Sequence, residues 1–278
     1  MQEVVYGMQY TKPTVILLQD TGIGVAETAA RTCYDSFANS ENSVIQALED
    51  TVPNQDMCSV LNDIEDSALL EDLAWTYFHH SILEHANLSY LIRGTSRGVL
   101  QEHARHRIQA ISVRSTRYTM SGIINAFVAA HYGGDKNFFI DTVEAYDMFV
   151  TADKEYNRLE IGTMYDKLEF QRQKVQDFHA IAVAKSSLAL LEALAGKPQE
   201  LYDALQAGKK KRNVGDAFKH IITDNVKVDM VVTFNLRSLK NYFTLRDSGA
   251  AYFQIRWLAQ EMIKVTPKKY LDLIIKEK

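Results

Sequence analysis

The chain has 278 residues, of which 46% are hydrophobic and 24% charged, the ordinary composition of a globular protein. This composition excludes intrinsic disorder, collagen-like repeats and low-complexity polymers. The formal net charge is −4, so the surface as a whole is not built to attract nucleic acid or anionic lipid. Two cysteines, Cys33 and Cys58, cannot staple a fold of this size, and the first residues do not resemble a signal peptide. We therefore expect a cytoplasmic location.

The first part of the chain mixes strand and helix signals. We predict, in order, a strand at 11–20, a helix within 21–37, a short helix with loops at 37–62, a helix at 63–80, a strand at 86–94, a helix at 95–107 and an irregular or extended segment at 110–120. Acidic residues begin the helix at 63–80 and histidines end it, which suits the helix macrodipole. Thr95 or Ser96 is the expected cap of the helix at 95–107.

The remainder is rich in helical periodicity. We predict a helical hairpin at 138–161 and 164–196, a helix ending at Gly208, a strand at 226–235, helices at 236–246 and 249–265, and a turn-like C-terminal segment. The fold class that follows is α+β. We expect one domain, 1–278, with a central mixed or antiparallel sheet flanked by helices and a helical arm at about 121–200.

Arginine is concentrated in one stretch. From Arg93 to Tyr118 the sequence contains six arginines (93, 97, 105, 107, 114 and 117), no lysine, and one acid, Glu102. Guanidinium groups bind phosphates and carboxylates in bidentate fashion, so this density indicates an anion site. The alternatives are a solvated helix surface and a nucleic-acid-binding module built on the segment from Arg93 to Arg117.

Five of the eight histidines fall in the same region: His79, His80, His85, His103 and His106. A metal site with Glu84 as an oxygen ligand, and hence a metal-dependent phosphohydrolase, is one interpretation. However, the spacing matches no standard zinc helix. Neutral histidines that form hydrogen-bonding walls of a pocket are the favoured interpretation.

A third group of polar residues follows the predicted strand at 226–235. Asn235 ends that strand, and Arg237, Asn241 and Leu245 share one face of the next helix, beside Arg246. A helix N-terminus with Asn and Arg side chains suits an anion or an adenine-ribose group. An equally good interpretation is a helix on which these residues simply cap or form salt bridges. The sequence contains no P-loop and no dinucleotide-binding glycine motif.

Taken together, these segments resemble the flavin-dependent thymidylate synthases. Arg105-His106-Arg107, seven residues and then Ser115 resemble the family signature, and the likeness extends to Arg117 and Tyr118. The residues that resemble the family's His-x-Ser/Thr-x-x-Glu-His segment are His79, Ser81, Glu84 and His85. The segment NLRSLKNYFTLR, 235–246, resembles the family's Asn-x-Arg-Ser-Leu-x-Asn-x-x-x-Leu-Arg block. The likeness is weak at 24–36, and the helical tract at 121–200 is not diagnostic and is longer than the family typically carries.

The resemblance implies an enzyme that converts dUMP to dTMP without a cysteine nucleophile. FAD would carry a hydride supplied by NADPH, and 5,10-methylenetetrahydrofolate would donate the carbon and leave as tetrahydrofolate. The implied catalytic residues are His79, Arg105, Ser115 and Arg246, with Ser115 positioning dUMP rather than attacking it. The implied dUMP contacts are Glu102, Arg105, Ser115, Thr116, Arg117, Lys219 and Arg246.

The resemblance also implies a set of FAD contacts and an assembly. The FAD contacts are Cys33, His79, Ser81, Glu84, Arg105, His106, Arg107, Ile108, Asn235, Arg237, Asn241 and Leu245. Family members are homotetramers that share sites between subunits, and we expect the same here, with neither nucleic acid nor membrane as a partner. The chain departs from the family pattern at five positions: Cys33, Val113, Thr116, Lys219 and Thr223.

Overall fold

The computed structural model describes residues 2–5, 8–50, 55–115 and 227–276. The predicted helical arm at about 121–200 and the predicted helix ending at Gly208 lie outside these ranges. The chain divides into two units, each assembled from segments that are distant in sequence. The first unit comprises 1–12, 94–100 and 113–229, and the second comprises 13–93, 101–112 and 230–278.

Six strands are found in the described residues. They are β1 (Gln2–Val5), β2 (Met8–Thr11), β3 (Thr14–Asp20), β4 (Asn87–Ser96), β5 (Ala110–Val113) and β6 (Lys227–Asn235). β1 and β2 form a two-stranded antiparallel sheet that the sequence did not predict, whereas β3 and β6 confirm predicted strands. The other four strands form one sheet in the order β3-β4-β6-β5.

The strands that lead to the site are antiparallel. β3 runs against β4, with Thr14 opposite Arg93. Between β4 and β6, the hydroxyl oxygens of Ser89 and Thr233 lie 2.8 Å apart, and the backbone N–H of Leu236 donates to the Ala86 carbonyl. Residue numbers rise in β4 as they fall in β6, which is the antiparallel sense. The end of β6 is thereby tied to the start of β4.

The helices of the described residues vary from four to thirteen residues in length. They are α1 (Gly24–Tyr34), α2 (Ser43–Gln46), α3 (Cys58–Asn62), α4 (Ala68–Trp75), α5 (Arg97–His103), α6 (Leu236–Arg246), α7 (Phe253–Val265) and α8 (Lys268–Ile274). Short 3₁₀ segments occupy Phe37–Asn39, Ala47–Glu49 and His80–His85. None of these helices is both long and apolar enough to cross a membrane. Helices together with a four-stranded sheet agree with the predicted α+β class.

Two predicted helices are shorter than expected, and their caps explain where they begin. α4 starts only at Ala68, because the Ser67 hydroxyl accepts the N–H of Leu70 at 3.3 Å. It ends at Trp75, and Phe78 then adopts a left-handed φ of 56°. The predicted helix at 63–80 was therefore too long, and its histidines lie beyond α4.

The predicted helix at 95–107 ends at His103, so the Arg105-His106-Arg107 block follows α5 rather than lying on it. The prediction of a cap at its start is confirmed for Ser96, whose hydroxyl accepts the N–H of Val99 at 3.2 Å. The C-terminal segment, predicted as turn-like, contains the helix α8. Its apolar residues Leu273 and Ile274 are buried, which stabilises a short helix by packing rather than by length.

Three fully buried tyrosines anchor the core of the second unit. Tyr90 of β4 lies 2.9 Å from the Thr266 hydroxyl, and the Tyr270 oxygen accepts the backbone N–H of Gly22. Gly22 has a φ of +74°, and a Cβ there would lie 2.5 Å from the Asn62 backbone, so only glycine fits. Burial raises the pKa of both phenols, which keeps them protonated and able to hold these contacts.

Candidate functional site

A large cavity in the second unit gathers half of the residues predicted from sequence to hold ligands. Its volume is about 1100 Å³, at the upper end of the range that small-molecule sites occupy. Helix α6 forms one wall, and the segment that follows α5 forms another. The lining residues are His80, Glu84, Arg105, His106, Arg107, Ile108, Arg237, Ser238, Lys240, Asn241, Thr244, Leu245, Arg246, Ser248, Ala250 and Ala251.

Arg246 is the best-anchored cation of this cavity, with a side chain that is only 16% exposed. Its Nη1 donates to Glu102 Oε2 at 2.9 Å, its Nη2 donates to the Glu102 carbonyl at 3.1 Å, and its Nε donates to His106 Nε2 at 2.9 Å. Three of the five guanidinium N–H groups are thus used to fix the side chain. Among the described residues the remaining two have no acceptor, so they suit an anion in the cavity.

Glu102 links two arginines of very different exposure. Its second oxygen, Oε1, lies 3.5 Å from Nη1 of Arg105, whose side chain is 74% exposed. An exposed ion pair of this kind contributes at most about 1 kcal/mol, so it leaves Arg105 free to move. Of the two arginines paired with Glu102, Arg246 is therefore fixed and Arg105 is adjustable.

Two of the histidines lie behind this pair and are neutral. His106 accepts from Arg246, so its Nε2 carries no proton, and its pKa is lowered by burial and by the Arg246 charge. His103 is fully buried, with Nδ1 3.1 Å from the Tyr242 hydroxyl. Burial lowers the pKa of His103 to about 4. His106 lines the cavity and so fits the predicted role of a hydrogen-bonding wall, whereas His103 does not line the cavity and lies in the core.

The start of α6 uses its polar residues for local structure. The Asn235 side chain accepts the N–H of Ser238 at 2.8 Å and so caps the helix. Arg237 forms a salt bridge with Glu84 of the 3₁₀ segment. Both residues thus make the local contacts that the second interpretation predicted, a cap for Asn235 and a salt bridge for Arg237. Arg237 and Glu84 nevertheless line the cavity, whereas Asn235 does not.

The structure brings together nine of the residues predicted to hold ligands. Those that line the cavity are Glu84, Arg105, His106, Arg107, Ile108, Arg237, Asn241, Leu245 and Arg246. Glu102 contacts the cavity through Arg246. Ser81 is exposed and is not among the lining residues, and His79 is also exposed, with Nδ1 3.2 Å from the Tyr34 hydroxyl.

The other predicted ligand residues either do not line this cavity or lie outside the described residues. Cys33 is an exposed residue of α1 and does not line the cavity. Ser115 is half-buried and belongs to the first unit, whereas the cavity lies in the second. Thr116, Arg117 and Lys219 lie outside the described residues, as does Thr223. Val113 ends β5 and is also part of the first unit.

Sequence reasoning missed several lining residues, of which Ser238, Lys240, Thr244 and Ser248 are polar. The signal for two of them was present, because Lys240 and Thr244 are four residues apart and lie beside Asn241 and Leu245 on α6. His80, one of the five clustered histidines, lines the cavity from the 3₁₀ segment rather than from the end of a helix as predicted. Across the described ranges, no group of three or more His, Cys, Asp or Glu side chains is arranged to hold a metal ion.

Comparisons with a family model and with known proteins agree on one family. The family model described as thymidylate synthase complementing protein matches residues 16–270. A flavin-dependent thymidylate synthase from Wolinella succinogenes is 27% identical over 257 residues, which cover 92% of this chain and 95% of that protein. One from Helicobacter pylori is 24% identical over 259 residues, which cover 92% and 94% of the two chains.

A solved structure shares the fold. The crystal structure of the flavin-dependent thymidylate synthase from Helicobacter pylori, complexed with FAD and dUMP, matches with a TM-score of 0.57 at 22% identity. The match covers 94% of this chain and 98% of that one. The resemblance carried by the three sequence blocks is thus confirmed at the level of the family. Because the family model spans nearly the whole sequence, the chain belongs to the thymidylate synthase complementing protein family, that of the flavin-dependent thymidylate synthases.

Proposed function

We propose that this protein converts dUMP to dTMP as a flavin-dependent thymidylate synthase. In this proposal 5,10-methylenetetrahydrofolate donates the carbon, NADPH supplies the reducing equivalents and FAD is bound tightly. One observation carries the proposal. Two motif blocks of the family, at 105–108 and 237–246, lie more than 120 residues apart in sequence, yet both line one cavity.

The residues of the cavity are suited to a nucleotide cofactor. Its volume of about 1100 Å³ suits a large ligand, and five of its lining residues are cations. Apolar contacts for a flat ring system come from Ile108, Leu245 and the alanines at 250 and 251. We propose that FAD is held by Arg107, Ile108, Arg237, Asn241 and Leu245. When bound, it would supply the hydride chemistry that no amino-acid side chain can provide.

The chain's own contribution in this proposal is orientation and electrostatics. Arg246, fixed by Glu102 and His106, binds an anionic or developing negative oxygen of dUMP. Arg105 has the freedom to close on the same ligand from the other side. Because Arg246 is in position before the reaction, this cation needs little reorganisation as charge develops.

A cysteine nucleophile has no part in the proposed reaction. Cys33 and Cys58 are both exposed, and neither lines the cavity. For Cys58, the neighbouring Asp56 raises the pKa of the thiol, which disfavours the reactive thiolate. Two free thiols also suit the reducing conditions of the cytoplasm, where we propose that the protein acts.

We propose that the remaining dUMP contacts come from Ser115, Thr116, Arg117 and Lys219, and that His79, Ser81, Cys33 and Asn235 approach FAD in the assembled enzyme. The proposed assembly is a homotetramer with active sites between subunits. Each chain would then act as one domain whose arm at about 121–200 packs against a neighbour. Light scattering coupled to size exclusion should give four chain masses, and a monomeric active enzyme would contradict the assembly.

The absorbance spectrum of the purified protein is the first test of the function. We expect a yellow protein that releases FAD on denaturation and that forms dTMP from dUMP, NADPH and methylenetetrahydrofolate. Omission of any one of these three substrates should abolish dTMP formation. A colourless protein that neither takes up added FAD nor forms dTMP would refute the proposal.

A further inference from the structure

Lys240 is a cavity residue that belongs to none of the motif positions discussed above. It lies on α6 between Leu239, which is buried, and Asn241, which lines the cavity. Its side chain is half-buried, and desolvation lowers the pKa of its ammonium group. Lys240 precedes Arg246 by six residues, or roughly 9 Å along the helix axis. It therefore marks a corner of the cavity separate from Arg246.

The neighbours of Lys240 are unusual for a lysine that is partly removed from water. Its Nζ lies 3.7 Å from the centre of the Trp75 ring and 3.1 Å from Nε2 of His80. The same His80 nitrogen lies 3.0 Å from the Ala74 carbonyl oxygen. One ring nitrogen cannot both accept from Lys240 and donate to Ala74. When His80 Nε2 donates to the Ala74 carbonyl, it cannot accept a hydrogen bond from the Lys240 ammonium.

Lys240 also differs from most of the other cations of the cavity in its charge partners. Arg246 and Arg105 are paired with Glu102, and Arg237 is paired with Glu84. Within the part of the chain that the structure describes, Lys240 has no carboxylate partner. Arg107 has none either, but it is exposed and water can solvate it. A half-buried ammonium with two or more unused N–H donors, facing a cavity, is arranged to receive an anion.

We propose that Lys240, with His80 beside it, is a second anion-binding corner of the cavity, which takes a phosphate group of a dinucleotide. Two dinucleotides, FAD and NADPH, belong to the proposed reaction, and both carry such phosphates. The inference therefore rests on the proposed function and adds a contact that its motif residues do not include. The ring of Trp75 holds the ammonium in place without neutralising it.

The decisive variant is Lys240→Met, which keeps the length of the side chain and removes its charge. A charge-assisted hydrogen bond to phosphate is worth enough that its loss should weaken binding roughly tenfold or more. We expect this loss for FAD by fluorescence titration, or for NADPH as an increase in KM, according to which dinucleotide uses the corner. Riboflavin and reduced nicotinamide riboside, which lack phosphate, should bind or react as they do with the unaltered protein.

Two further variants separate charge from packing. Lys240→Arg retains the cation and should restore most of the affinity. Lys276→Met is the matched control, because the Lys276 ammonium also lies over the Trp75 ring, at 5.9 Å, but does not line the cavity. This control should leave the affinity for both dinucleotides unchanged. A Lys240→Met variant that matches Lys276→Met, or that loses riboflavin as strongly as FAD, would overturn the inference.

A measurement on the unaltered protein keeps the inference testable if Lys240→Met does not fold. Lysine acetylation with and without FAD or NADPH, read by mass spectrometry, should show Lys240 protected by one of them and Lys276 unaffected. Equal labelling of Lys240 in all conditions would contradict the inference. If the unaltered protein binds neither dinucleotide, the proposed function itself fails. If the unaltered protein turns over dUMP but neither FAD nor NADPH protects Lys240 from acetylation, only the proposed anion-binding corner is wrong.

Discussion

The two faces of helix α6 differ in role: one packs against the core, and the other lines the cavity. One face is buried against the core and carries Leu236, Leu239, Tyr242 and Phe243. The other lines the cavity and carries Arg237, Lys240, Asn241, Thr244 and Leu245, and Arg246 joins them from the last turn of the helix. The helix is thus held by apolar contacts on one side while its charged side chains face a space large enough for a ligand.

The difference between the faces shows how a fixed charge is achieved. Tyr242 packs against both His103 and His106, with ring centres 5.1 Å and 4.7 Å apart. His106 in turn accepts a hydrogen bond from Arg246. Packing on the buried face therefore determines where the Arg246 guanidinium lies on the cavity face. Stability should depend mainly on the first face and ligand affinity on the second.

Truncating one side chain on each face of α6 tests whether the two faces contribute differently to the free energy of unfolding. Tyr242→Ala should lower the free energy of unfolding by about 4 kcal/mol, because it removes a fully buried ring and leaves His103 Nδ1 without its partner. Leu245→Ala, on the cavity face with Leu245 52% exposed, should change it by less than about 0.5 kcal/mol. Urea denaturation measures both. Similar losses would mean that the two faces are not distinct.

The buried face should also make stability depend on pH. Unfolded His103 takes up a proton below its ordinary pKa of 6.5, whereas folded His103 does so only near its pKa of about 4. The unfolded state therefore binds more protons between these values, and stability falls as pH falls. We expect a loss of about 3 kcal/mol between pH 7 and pH 4 from this residue. His103→Gln should remove this part of the pH dependence, whereas the exposed control His85→Gln should retain it.

On the cavity face, Arg246→Ala should weaken dUMP binding by about 2 kcal/mol or more, since the side chain is mostly buried and pre-positioned. Calorimetry on the FAD-loaded protein gives the affinity. The control is Lys268→Ala on α8, an exposed lysine paired with Asp272. Unchanged dUMP affinity in the Arg246 variant would show that this guanidinium does not contact the substrate.

The smallest effect concerns the cap of α6. Asn235→Ala should lower the free energy of unfolding by about 1 kcal/mol, because the Ser238 N–H loses its acceptor. Ser67→Ala removes the equivalent cap of α4 and should cost a similar amount. If Asn235 acts only as a cap, Asn235→Asp should preserve both stability and FAD affinity. A loss of FAD affinity in Asn235→Asp would indicate a direct contact with the cofactor.

Local patterns predicted the elements that position the site more accurately than those around it. The strand β6 and the helix α6 were correct to within a residue, because β-branched residues and then a helical repeat follow one another without interruption. The helix at 63–80 was wrong at both ends, because the Ser67 cap and the left-handed Phe78 are local events that periodicity does not register. That error placed His80 at the end of a helix, whereas it begins the 3₁₀ segment that borders the cavity.

The sequence by itself determined the family and most of the cavity lining, since the motif blocks preserve residue type and spacing along the chain. Only the tertiary structure decided which of those residues are held in place. It pairs Arg246 with Glu102, uses Asn235 as a cap and leaves Arg105 exposed. The physical reason is distance along the chain. The partners of Arg246 lie about 140 residues away, so its burial and its hydrogen bonds depend on packing that no local pattern records.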